Sequence, residues 1–137
     1  MLAKVQTDPL SIDSLALIQG RGNSGALVFF EGIVRRRTGD VEIESLFYES
    51  YKEMAESSML GILQQAGKRY SLIDAVAIHR IGQIMPGEPS VLVAAWAEHR
   101  DDAFRACREI IDQIKSNVPI WKKDIFAGGK SNWHEGN

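Results

Sequence analysis

Two stretches of this chain, 52–68 and 101–117, place apolar side chains at the helical period, and both are bracketed by runs with strand character. In the first the stripe is Ala55, Met59, Ile62, Leu63 and Ala66; in the second it is Ala103, Phe104, Cys107, Ile110, Ile111 and Ile114. A helix with one apolar face needs another layer against it. The strand-like runs supply that layer. Residues 26–34 (ALVFFEGIV) are almost continuously apolar and read as a strand buried on both faces. Residues 42–50 alternate as a half-buried strand does, and the two are placed to pair as a hairpin across the polar loop 35–40. Two further strands, 73–82 and 90–98, flank a Met85-Pro86-Gly87-Glu88 turn. Residues 2–6 read as a short edge strand, and 11–19 as a helix behind Ser11. The order, roughly β-α-β-β-α-β-β-α, predicts an α+β fold with helices packed on a mainly antiparallel sheet. A single domain over 1–137 is expected.

A chain of 137 residues buries roughly two-thirds of its unfolded surface, enough for a core without disulfide or metal staples. The one cysteine, Cys107, excludes an internal disulfide and fits a reducing compartment. A net charge of −2 gives no general argument for nucleic acid. No signal peptide and no membrane-crossing apolar run are visible, so no membrane role and a cytoplasmic location are expected.

Several apparent motifs fail on context. Gly20, Gly22 and Gly25 spell G-x-G-x-x-G, but they follow a helix-like segment and precede a strand, the reverse of a dinucleotide site. Gly129-Lys130-Ser131 lacks the first glycine of a phosphate-binding loop, since Asp124 stands there. His79, His99 and His134 have no partner at metal-ligand spacing, so no metal site is expected. Cys107 lies on an apolar stripe, where a thiol packs.

Three cationic groups survive that test: Arg35 after the first long strand, His99-Arg100 at a strand-to-helix junction, and the set Lys115, Lys122 and Lys123. Arginine and histidine at such junctions suit phosphate. Pro119 ends the second helix, because its ring collides with the carbonyl of Lys115, and Trp121 anchors the returning chain. The return carries Lys122 back toward Lys115. Gathered ammonium groups either act as general acid and base or clamp an anionic ligand. Physics alone leaves both open.

At these residues the chain resembles the catalytic, large subunit of molybdopterin synthase, over nearly its whole length. The resemblance rests on Phe30 to Arg35 (FEGIVR), Glu49-Ser50-Tyr51, IHRIGQIMPGE at 78–88, AEHRDDAF at 97–104 and IKSNVPIWKKD at 114–124. It implies an α/β hammerhead-like fold with a small β subdomain. It implies a homodimer flanked by small ubiquitin-like sulfur-carrier subunits, a heterotetramer overall. The carrier's Gly-Gly C-terminus, charged as a thiocarboxylate, would supply two sulfurs to cyclic pyranopterin monophosphate, giving molybdopterin for molybdenum cofactor. No resident cofactor is then needed. By motif match Lys115 and Lys122 are the catalytic pair, Lys115 the acid/base and anchor for the carrier's acyl group, and Lys122 acid/base or electrostatic support. Ile33, Val34, Arg35, His99, Arg100, Lys123 and Asp124 match substrate-binding positions. Asp124 departs from the family's usual glutamate and is one methylene shorter. The alternative is a non-catalytic relative that binds a sulfur-carrier protein or an organic phosphate.

Overall fold

The run from Ser90 to Ala97 is buried at every position, which places its strand in the middle of a sheet rather than at an edge. In the computed structural model, which describes residues 1–13 and 21–135, that strand is β7 (Pro89–Ala97). It lies between β5 (Asp74–Arg80) and β2 (Ala26–Ile33), antiparallel to both. β1 (Leu2–Gln6) adds parallel to β5, giving the order β1-β5-β7-β2. The helices α1 (Lys52–Tyr70) and α2 (Arg100–Asn117) pack against this sheet and each other. Ala75, Ala77, Val91, Val93 and Ala95 meet Met59 and Leu63 of α1 and Ile110 and Ile114 of α2 in one core. The opposite sheet face buries Val76, Ile78, Leu92, Ala94 and Trp96 with Leu10.

A second, five-stranded sheet carries β3 (Arg37–Thr38), β4 (Val41–Ser50), β8 (Ile120–Phe126) and β9 (Ser131–Glu135) in that order, with β6 (Gly82–Ile84) also paired to β4. Every pairing in it is antiparallel. Its Ile43, Leu46, Tyr48, Ile84 and Ile120 join the helix-side core, so the two sheets share one apolar interior. This is the mixed, mainly antiparallel α+β arrangement expected.

The sequence reading needs correction at several points. β2 does not pair with β4; it is the outer strand beside β7, and Phe29 and Ile33 are 45% and 54% exposed rather than buried. The reason lies in the loop. Gly39, at φ +61°, closes a tight hairpin between β3 and β4, which takes β4 into the second sheet. The end of β2 is instead tied to the 85–88 turn through Val34 N–H to Glu88 O and Gly87 N–H to Val34 O. Phe104 leaves the buried stripe of α2 and stands 61% exposed. The strand expected over 73–82 ends at Arg80, and Gly82 at φ +89° starts β6. Of the helix expected over 11–19, residues 14–19 lie outside the described residues. Gly25 has a packing role: a Cβ there would stand 1.9 Å from the carbonyl oxygen of Glu98.

Candidate functional site

β8 decides the site. Pro119 stops α2, and the chain returns at once as a strand antiparallel to β4. A strand alternates faces, so Lys122 and Lys123 must point in opposite directions. Pairing puts Tyr48 of β4, Lys122 of β8 and His134 of β9 in one row across the sheet, their side chains on the same face. The neighbouring row is Phe47, Lys123 and Trp133, on the other face. There the Lys123 ammonium stands 5.3 Å from the Trp133 ring centroid, and Phe47 meets that ring edge-on.

On the Lys122 face a cavity of about 330 Å³ opens between the two sheets and the end of α2. Lys115 from the last turn of α2, Lys122 from β8, and Arg35 after β2 converge on it. Ile33, Val34, Thr38, Ile43, Leu46, Tyr48 and Ser90 form the remaining walls. Lys115 is exposed at the rim, whereas Lys122 is half-buried. Lys115 also borders a second, more apolar groove of about 530 Å³, lined by Val28, Phe29, Phe30, Phe104 and Ile111. One lysine therefore joins a cationic cavity to an apolar groove.

Behind Lys122 lies Asp124, buried to 7% exposure, with Oδ1 3.5 Å from the lysine Nζ. Its Oδ2 accepts a hydrogen bond from His134 Nε2 at 2.9 Å. The Tyr48 hydroxyl is hydrogen-bonded to Ser90, whose own hydroxyl donates to Gly32 O at 3.3 Å. Burial pushes the Tyr48 phenol above its ordinary value; the bond to Ser90 lowers it, and the Asp124 charge raises it further. The phenol stays neutral and serves as a donor in the wall.

The sequence-derived residues therefore separate into three sets. Ile33, Val34, Arg35, Lys115 and Lys122 line the cavity, and Asp124 backs it. Lys123 faces away. His99 and Arg100 stand at the opposite end of α2 from Lys115, about 24 Å away at 1.5 Å per residue, both exposed. Sequence reasoning missed Thr38, Tyr48, Ser90 and His134. The alternation in 42–50 already placed Tyr48 with Leu46 on the buried face, so that signal was present. Cys107 packs with Sγ 3.8 Å from Val93 O, and burial pushes its thiol up to about 11, which keeps it protonated.

Fold and site together define a class: an α/β hammerhead-like protein with a cationic cavity built by two lysines and an arginine at the junction of two sheets. The profile of the MoaE protein family matches residues 5–117, and the chain belongs to that family. A relative from Thermoplasma volcanium, named molybdopterin synthase catalytic subunit, is 46% identical over 114 residues, covering 83% of each chain. The crystal structure of molybdopterin synthase from Staphylococcus aureus superposes with a TM-score of 0.90 at 34% identity, covering 96% of both chains. A complex of subunits 1 and 2 of molybdopterin-converting factor from Helicobacter pylori matches with a TM-score of 0.77 at 25% identity, covering 95% of this chain and 88% of that one.

Proposed function

We propose that this chain is the catalytic subunit of a molybdopterin synthase, moving two sulfurs from the thiocarboxylated C-terminus of a small ubiquitin-like carrier to cyclic pyranopterin monophosphate. The observation that carries the reading is the convergence of Arg35, Lys115 and Lys122 on one cavity of small-molecule size. Arg35 offers a planar fork suited to the substrate's phosphate. Lys122, half-buried in the wall, is placed to hand protons to and from the pterin and to offset charge that develops as sulfur adds.

Lys115, at the rim, is the group an incoming carrier tail meets first. The apolar groove beside it offers Phe29, Phe30 and Phe104 to a docking partner, and a Gly-Gly tail is narrow enough to pass from groove to cavity. The Helicobacter pylori complex supports a second subunit of this kind. Sulfur arrives on that partner, so the buried, protonated Cys107 has no nucleophilic task.

His99 and Arg100 enter the reaction in one way only. Held at the far end of α2, they do not reach their own chain's cavity. In a homodimer they can reach a neighbour's, adding phosphate donors to Arg35. The cytoplasm is the compartment this chemistry fits, and no helix among the described residues is long and apolar enough to cross a membrane.

A single-turnover assay tests the reading. The protein, thiocarboxylated carrier and cyclic pyranopterin monophosphate are mixed, and the pterin product is weighed by mass spectrometry. Gain of two sulfurs is expected. Carrier binding without sulfur gain would favour a non-catalytic binding module.

A further inference from the structure

His134 touches the cavity machinery through Asp124, whereas the buried His79 meets the Tyr48 ring edge-on at 4.9 Å. β9 pairs with β8 so that His134 stands directly opposite Lys122, with Asp124 two residues along on the same face. An ionised carboxylate only accepts, so Nε2 carries the proton in the 2.9 Å contact to Oδ2. That bond leaves Asp124 Oδ1 aimed toward Lys122 at 3.5 Å. Oδ1 is fully buried and accepts no hydrogen bond, its nearest cation being the Lys122 ammonium at 3.5 Å. A buried carboxylate oxygen beside an ammonium would gain from rotating into a direct bond. The partner on the other carboxylate oxygen is His134.

We propose that His134 is a positioning residue: it tethers Asp124 so that Lys122 is attracted by the carboxylate yet keeps its N–H groups directed to the cavity. Without the tether, Asp124 turns onto Lys122, tightens the existing ion pair into a direct hydrogen bond and draws Nζ out of the cavity. The shorter reach of aspartate makes the tether necessary, since its carboxylate has only two torsions and one outside partner to set them. Behind Tyr48 the buried His79 ring meets the phenol edge-on. The other charged or titratable groups on this face are Tyr48, whose hydroxyl is engaged by Ser90, and, across the cavity, Arg35 and Lys115. None of them contacts His134 in the structure. Lys123 points to the opposite face and cannot substitute. The catalytic part of this inference rests on the synthase reading; the geometric part does not.

The test uses the full-length protein and two readouts. The first is the rate at which Lys122 is modified by an amine-reactive acylating reagent, followed by peptide mass spectrometry, with Lys115 as internal control. His134→Ala should slow Lys122 several-fold and leave Lys115 unchanged, and His134→Gln, whose amide N–H can take the place of Nε2–H, should restore the rate. In an Asp124→Asn background His134→Ala should have no effect, since no carboxylate remains to collapse. The second readout is turnover with the carrier and pterin. His134→Ala should lower kcat about tenfold with KM for the pterin nearly unchanged, the signature of misplaced chemistry rather than lost binding.

Unchanged Lys122 labelling in His134→Ala, or a glutamine variant as impaired as alanine, would overturn the proposal. If the wild-type protein transfers no sulfur while the labelling pattern holds, the synthase reading fails and the tether stands. A melting curve for each variant separates local displacement from unfolding.

Discussion

Lys122 and Lys115 share one cavity, yet their removal should affect stability very differently. Lys122 Nζ lies 3.5 Å from the Asp124 carboxylate, and both side chains are mostly buried. At an effective dielectric near 20 that separation corresponds to about 5 kcal/mol of attraction. The lysine's desolvation cost offsets part of it, and His134 still donates one hydrogen bond to the carboxylate when the lysine is gone. The balance is a net loss of about 2–3 kcal/mol for Lys122→Ala, arising from a buried carboxylate left without its cation. For a chain of this size that lowers Tm by about 10 °C. Lys115 is exposed and makes no ion pair among the described residues, so Lys115→Ala should stay within about 0.5 kcal/mol of wild type. Thermal and urea unfolding of both variants measure the difference, and Asp124→Asn in the Lys122→Ala background should recover much of the loss. A Lys122→Ala protein with wild-type Tm would refute the reasoning, because it would show that Asp124 does not depend on the lysine charge.

Two further outcomes follow from side chains outside the cavity. Cys107, with its thiol pushed up to about 11 by burial, should resist iodoacetamide at pH 8 in the folded protein and react promptly in urea, a contrast read by mass spectrometry. Glu88 caps Met85 N–H and pairs with Arg80, and these bonds hold its carboxyl below the ordinary value of 4.5. A depressed acid adds stability above its unfolded value and loses it as pH falls through the folded one. The wild type should therefore lose more stability than Glu88→Gln between about pH 5 and pH 3, which urea titrations at stepped pH would detect.

The sequence made the elements legible where a period ran long enough. α2 stood out because Ala103, Cys107, Ile110 and Ile114 recur down one face, and β7 because no polar residue interrupts Val91 to Ala97. Pairing was not legible. Alternation says which face of a strand is buried and nothing about its neighbour, so β2 and β4 looked like a hairpin until the Gly39 turn claimed β4. The site was half visible for a similar reason. A motif ending in Lys122-Lys123-Asp124 treats adjacent residues as companions, whereas a strand sends Lys123 to the far face and keeps Lys122 with Asp124. Metal-ligand spacing is a local rule and passes over His134, whose partner is set by cross-strand register. Likewise the separation of His99-Arg100 from Lys115 is a plain consequence of helix length that residue identities alone do not express.

The cavity walls come from the end of β2, the β3–β4 hairpin, the start of β7, the last turn of α2 and β8, segments scattered from Gly32 to Lys122. No local piece of the chain contains them together. The pocket is therefore complete only when both sheets and α2 have docked, and species lacking that docking cannot bind an anion there as the native state does. An anionic ligand that fills it draws on the native population alone, so it should stabilise the whole molecule by mass action. Occupancy of a few side chains becomes a readout of global folding, and a shift in melting temperature can rank ligands before any turnover is measured.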